Sequence, residues 1–217
     1  QFSFITMMIG VIRSSKLGLK SLACSRAMSK IVADITGNPY KLTSDKAAWN
    51  MDESIIDMLS SNNDARPKLR EILQDDAGSS FSKILILFEN LRYGMDYRIP
   101  EIAQSLVEIE GMLVEGKLTR REGYYAAAAL AWYEGYYLKC GALLETSLVN
   151  SRGDLLAVRL AQNAYLAAGS SKNVLNCVIR QPSTQDSPKH LEGYLLGMFA
   201  TGYVETGSLL RAEEEGL

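Results

Sequence analysis

The chain has 217 residues, 47% hydrophobic and 22% charged, with a formal net charge of -2, which are values of a soluble globular protein able to bury a sizeable core. Residues 1–33 carry five basic residues and no acid, so the remainder holds 18 basic against 25 acidic residues. An acidic body without a basic stripe argues against a nucleic-acid surface, which needs clustered Lys and Arg to neutralise phosphates.

Residues 1–40 read as a basic, Ser-rich leader, disordered or targeting. From Met7 to Ala33, Arg13, Lys16, Lys20, Arg26 and Lys30 stand among Ile, Val, Leu and Ser, a composition that resembles a mitochondrial transit peptide. The alternatives are the h-region of a secretory signal and a frayed leader on a cytosolic protein. The apolar run Phe2–Ile12 is too short and too interrupted to span a bilayer, so no stable membrane insertion is expected.

Gly37, Asn38 and Pro39 break the leader from a stretch of helices and loops over residues 41–80. Ser44 or Asp45 caps a helix to about Leu59, amphipathic through Ala48, Met51, Ile55, Met58 and Leu59. Ser61 to Pro67 reads as a loop, Lys68 to Gln74 as a short helix, and Asp75 to Ser80 as a second break. Residues 81–217 then read as a helical array. Phe81 to Leu91 is nearly continuous in apolar residues and predicts a buried helix.

Pro100 suits a first helical turn, where its missing N–H costs nothing, and opens a helix from Ile99 to Leu113. Thr119 and Glu122 have capping-box spacing and start a helix from Arg120 to Glu134. Gly135 ends it, and Tyr136 to Val149 returns as its partner. Asp154 caps Leu155 to Ala168, Gly169 stops it, and Ser170 or Ser171 starts a helix to Ile179. Ser187 and Pro188 precede Lys189 to Thr206, Gly207 stops that helix, and Ser208 to Leu217 follows. No segment shows sustained alternation of period two, so no strand is expected.

The three stop glycines are 34 and 38 residues apart, close to the length of a tetratricopeptide unit, whose paired helices bury their faces only by stacking on neighbours. In the first unit Tyr124, Ala127, Ala128, Ala131, Cys140 and Leu144 occupy the pattern's positions; in the second Val158, Ala161, Gln162, Tyr165, Val174 and Val178; in the third Leu196, Phe199, Ala200, Tyr203, Ala212 and Gly216. Gln162 breaks the pattern by placing an amide where close approach is needed. The fold class that follows is all-α, a tetratricopeptide-like α-solenoid of stacked antiparallel helix hairpins.

Leu118-Thr-Arg-Arg-Glu122, Ala131-Trp-Tyr-Glu-Gly-Tyr136, Asp154-Leu-Leu-Ala-Val158, Asn163-Ala-Tyr165 and the run His190 to Ala200 ending in Glu205-Thr-Gly207 are similar to the tetratricopeptide repeat protein 38 family. The likeness covers roughly Ile84 to Leu217 and implies an extended helical array without a defined biochemical activity, continuing past Leu217. Gln162 and Asn163 stand where that family commonly has His and Asp. In tetratricopeptide geometry the inner groove is lined by the first helix of each pair. That implies a peptide-binding groove of Tyr125, Tyr133, Arg159 and Asn163, drawn from the aromatic cluster Tyr124, Tyr125, Trp132, Tyr133, Tyr136 and Tyr137.

Chemistry is sparse. His190 is the lone histidine, with only Asp186 and Glu192 nearby, and a catalytic histidine needs an orienting partner. Cys24, Cys140 and Cys177 have no metal-ligand spacing and read as reduced thiols, and Glu213 to Glu215 reads as a solvated face. No phosphate loop, dinucleotide fingerprint, zinc pair or nucleophile elbow occurs. The expected function is therefore a non-enzymatic scaffold for a protein or peptide partner, without cofactor, metal or nucleic acid, and cytoplasmic. The alternative is a helical module carried to a mitochondrion or membrane surface by the leader.

Overall fold

A computed structural model describes residues 30–42, 44–61, 64–96, 98–180 and 189–216. Cys24, nearly all of the basic leader and the Ser187–Pro188 helix start lie outside the described residues.

Lys30–Ala33 (β1) and Pro39–Leu42 (β2) pair antiparallel, Lys30 opposite Leu42 and Ala33 opposite Pro39. Asp34 organises the turn between them. Its Oδ1 accepts from the Thr36 N–H at 3.0 Å, the Thr36 hydroxyl at 2.6 Å and the Asn38 N–H at 3.1 Å. Tyr40 and Leu42 point inward and are buried. This hairpin corrects the expectation of no strand, and it crosses the leader boundary expected at residue 40. Its inward alternation is only two side chains long, too short to register as a period.

Ten α-helices follow among the described residues: Asp45–Ser60 (α1), Arg66–Asp75 (α2), Ser80–Arg92 (α3), Pro100–Val114 (α4), Arg120–Tyr133 (α5), Tyr137–Ser147 (α6), Leu155–Ala167 (α7), Ser171–Ile179 (α8), Glu192–Glu205 (α9) and Leu209–Gly216 (α10). Most starts lie where local caps put them. The Ser44 hydroxyl accepts from the Ala47 N–H at 3.1 Å. Thr119 and Glu122 form the reciprocal capping box, with the Thr119 N–H on Glu122 Oε2 at 2.8 Å and the Glu122 N–H on Thr119 Oγ1 at 3.3 Å. Asp154 accepts from the Ala157 N–H at 3.3 Å. The loop expected through Pro67 stops earlier, because a proline fits the first turn of α2 as it does that of α4. Lys189–Leu191 is a separate 3-10 turn before α9.

Gly135, Gly169 and Gly207 occupy the bends of α5–α6, α7–α8 and α9–α10 with φ of 78°, 65° and 78°. The residue after each glycine donates back to the same carbonyl position: Tyr136 N–H to Ala131 O, Ser170 N–H to Tyr165 O and Ser208 N–H to Tyr203 O. Met95 and Lys117 do the same at the ends of α3 and α4.

Each helix from α5 to α9 packs on the next in the chain, while α3 also packs on α5, and α7 on α9. The fold is thus all-α apart from the hairpin, with packed neighbouring helix pairs. One hydrophobic core runs from Tyr40 to Met198. The second-unit positions are all buried, whereas Leu196, Phe199, Ala200 and Tyr203 of α9 are half-buried. The N-terminal helices share this core. α1 crosses over and packs against α7.

Candidate functional site

Three places on this framework carry polar or aromatic groups in unusual settings. The first is a buried charge cluster at the start of α5. Arg121 Nη1 donates to Asp34 Oδ2 at 2.7 Å and Arg121 Nε to Asp154 Oδ2 at 2.7 Å, all three side chains being almost wholly buried. The Tyr125 hydroxyl donates to the same Asp154 oxygen at 3.0 Å. The guanidinium lies over the Phe81 ring at 4.7 Å, and Phe81 meets Tyr125 edge to face at 5.3 Å. Burial pushes the Asp154 carboxyl above the usual carboxylate range against the pull of Arg121, and burial beside Asp154 raises the Tyr125 phenol well above its ordinary value. Arg121 Nη2 alone lacks a protein acceptor, and Arg121 borders a cavity of about 250 Å³ with Thr119, Ser151 and Lys41.

Tyr125, expected as a groove anchor, is therefore corrected. It is fully buried. Adjacent tyrosines on a helix point about 100° apart, and the inward one of the pair is Tyr125, while Tyr124 is half-buried.

The second place centres on Arg159 in α7, which is mostly but not fully buried. Its Nη2 donates to Ser61 Oγ at 2.9 Å and its Nη1 to Gln162 Oε1 at 3.2 Å, while Nε is buried without an acceptor. Ser61 closes α1 with φ of 54°, the one positive φ at a non-glycine among the described residues. Gln162 does not disturb the stack as its polarity predicts. Its Nε2 donates to Met198 O at 2.8 Å and Val174 O at 3.3 Å, so one buried amide ties α7 to α8 and α9 and presents its oxygen to Arg159. Burial and the nearby Arg92 charge both disfavour the cationic form of Arg159. Asn163, next along α7, is half-buried.

The third place is aromatic. Trp132 packs edge to face on Tyr137 at 5.2 Å and against Phe88 at 5.7 Å, so both are part of the stack. Two grooves share Tyr137. One, of about 690 Å³, is lined by Tyr136, Leu138, Lys139 and Ala168, with Tyr136 59% and Leu138 54% exposed. The other, of about 330 Å³, is lined by Tyr133, Trp132, Leu91 and Met95. The four residues of the expected groove thus separate into a buried tyrosine, a groove tyrosine and the Arg159–Asn163 face of α7.

His190 is exposed in the 3-10 turn, and Cys140 and Cys177 are buried thiols whose burial pushes each up to about 12. Among the described residues no cluster of His, Cys, Asp and Glu is arranged to hold a metal, and no helix is long and apolar enough to cross a membrane. No protein-family model matches the chain, and no solved structure matches it at a significant level. Sequence reasoning missed Asp34, Arg121 and Asp154 as a unit, because the Asp34–Arg121 bond spans 87 residues and no local signal reports it.

Proposed function

We propose that the chain is a non-enzymatic protein-interaction scaffold, a tetratricopeptide-like array of helix hairpins that holds a segment of a partner protein. The recurrent glycine bends and the side-by-side packing of α3 with α5 and α7 with α9 support the repeat reading. The observation that carries the binding reading is the aromatic groove at the α5–α6 bend. Tyr136 and Leu138 stand more than half exposed in the lining of an open groove of about 690 Å³, beside Tyr137, whose ring Trp132 braces edge to face. Exposed aromatic and aliphatic anchors beside a rigid concave surface are what an interface hot spot uses, since little side-chain entropy remains to be lost on binding.

The test replaces Tyr136 and, separately, Glu192 by a photo-crosslinking residue in the full chain. The expected result is a discrete protein adduct at Tyr136 that is absent at the exposed Glu192 and lost when Leu138→Ser is added, with helical circular dichroism unchanged. Adducts that are equal at both positions, or that survive Leu138→Ser undiminished, would reject the groove as the binding surface.

A further inference from the structure

Four arginines among the described residues are shielded from full solvent exposure, namely Arg66, Arg92, Arg121 and Arg159. Arg66 pairs with Asp64 at 2.7 Å, Arg92 with Glu89 at 2.8 Å, and Arg121 with Asp34 and Asp154. Among the described residues no carboxylate lies within 4.0 Å of Arg159; its acceptors are a hydroxyl and an amide oxygen. Withdrawing a cation from water without an anion to face it is costly, and a protein ordinarily relieves that by pairing.

The surroundings hold this guanidinium still. Gln162 is fixed by the carbonyls of Met198 and Val174, and Ser61 adopts a left-handed φ, strained for a serine, while its hydroxyl accepts from Arg159. Nearby, Tyr93 lies between the Arg66 and Arg92 guanidinium groups at 4.7 and 4.6 Å, but Asp64 and Glu89 already neutralise both. Of these three neighbouring arginines, Arg159 alone keeps a surplus charge unmatched by a carboxylate among the described residues, and its buried Nε–H has no acceptor.

We propose that Arg159 receives one carboxylate of a partner protein, an acidic side chain or a chain terminus. A carboxylate matches the single surplus charge and can accept from the second N–H of Nη1 or Nη2, each of which uses only one hydrogen on Gln162 or Ser61. A doubly charged phosphate would exceed that surplus. The inference extends the scaffold reading to a second place on the surface and rests on that reading only for the partner being a protein.

The experiment follows the arginine Nε–Hε cross-peak of Arg159 in a proton–nitrogen NMR spectrum of the full chain. The peak is assigned by its disappearance in Arg159→Lys. Three probes are titrated: hexaglutamate blocked at both ends, acetylated hexaglycine with a free C-terminal carboxylate, and inorganic phosphate. One of the two peptides is expected to move the peak saturably, and which one does so tells side chain from chain terminus. The same peptide is expected to move the backbone amides of Ser61 and Gln162, an effect lost in Arg159→Gln and kept in Tyr136→Ser. No movement with either peptide, or an equal response to phosphate, overturns the proposal. Because no partner protein enters this titration, such a failure leaves the aromatic groove untouched, and failed crosslinking at Tyr136 leaves the carboxylate site standing.

Discussion

Arg121 and Arg159 both leave array helices for the interior, and their company could hardly differ more. Arg121 lies between Asp34 and Asp154 with a tyrosine hydroxyl on the second of them, so its charge is matched and joins the β hairpin, α5 and the cap of α7. Among the described residues Arg159 finds only the neutral acceptors of Ser61 and Gln162. A paired buried charge cements a particular arrangement, whereas an unpaired one raises the energy of the fold and retains its capacity to bind. The same residue type thus serves architecture at one point and availability at the other.

The largest expected effect tests the architectural half. Arg121→Met would leave Asp34 and Asp154 buried without a counter-charge, at a cost of about 3–5 kcal/mol in urea unfolding. The loss should appear first as release of the hairpin, read by hydrogen exchange at Val32 and Tyr40, because Asp34 is the hairpin's charged tie to α5. Were Arg121→Met to cost less than 1 kcal/mol, the contrast between the two arginines would collapse.

Helix starts and stops were legible in the sequence because the forces that set them are local. A serine, a capping box, an aspartate and a glycine each act within one turn, and Ser44, Thr119 with Glu122, Asp154 and the three stop glycines lie where expected. What joins distant parts was not legible. The Asp34 turn stood inside a stretch read as leader, and Gln162 looked like a defect until α8 and α9 supplied its carbonyl partners. The choice between Tyr124 and Tyr125 depends on helix rotation that adjacent identical residues cannot report. Of the groove, exposure at Tyr136 and the isolation of Arg159 needed coordinates, since both depend on what fails to pack nearby.

A second way to sharpen the contrast is to move the support under Gln162. A Cβ at Gly202 would come within 2.8 Å of the Leu175 backbone, so Gly202→Ala must push α9 away from α8. The expected cost is about 1–3 kcal/mol by overpacking. Gly197→Ala on the same helix meets nothing within 4 Å and should gain up to about 1 kcal/mol from helix propensity. Only Gly202→Ala should disturb the Arg159 Nε–Hε signal, while the Tyr125–Asp154 bond stays intact in both variants.

Alkaline titration separates the two regions chemically. Tyr125 and Tyr40 both have phenols raised by burial, so the folded chain keeps protons that the unfolded chain releases near its ordinary value of 10.0. Their contribution is therefore fully present below that value and is lost as pH rises above it, at about 1.4 kcal/mol per pH unit for each tyrosine. Tyr125→Phe should flatten the slope of unfolding free energy between about pH 10 and 11 by one tyrosine's share. A slope indifferent to that change would mean that Tyr125 ionises as readily folded as unfolded, contrary to its place beside Asp154.

The smallest effect is the most telling about Arg159. Arg159→Met removes an unmatched charge and keeps much of the packing volume, while leaving Gln162 Oε1 and the Ser61 hydroxyl without their donor. The first change favours the fold and the second opposes it by about 1 kcal/mol or less, because Ser61 lies at a loop where water can replace the arginine. The net expectation is a variant between unchanged and about 1 kcal/mol more stable, by thermal and urea unfolding together. A residue kept purely for architecture behaves the other way, as Arg121 should. If Arg159→Met instead loses 2 kcal/mol or more, its hydrogen bonds to α1 and Gln162 are themselves the reason it is there, and Arg159 joins Arg121 as a structural tie.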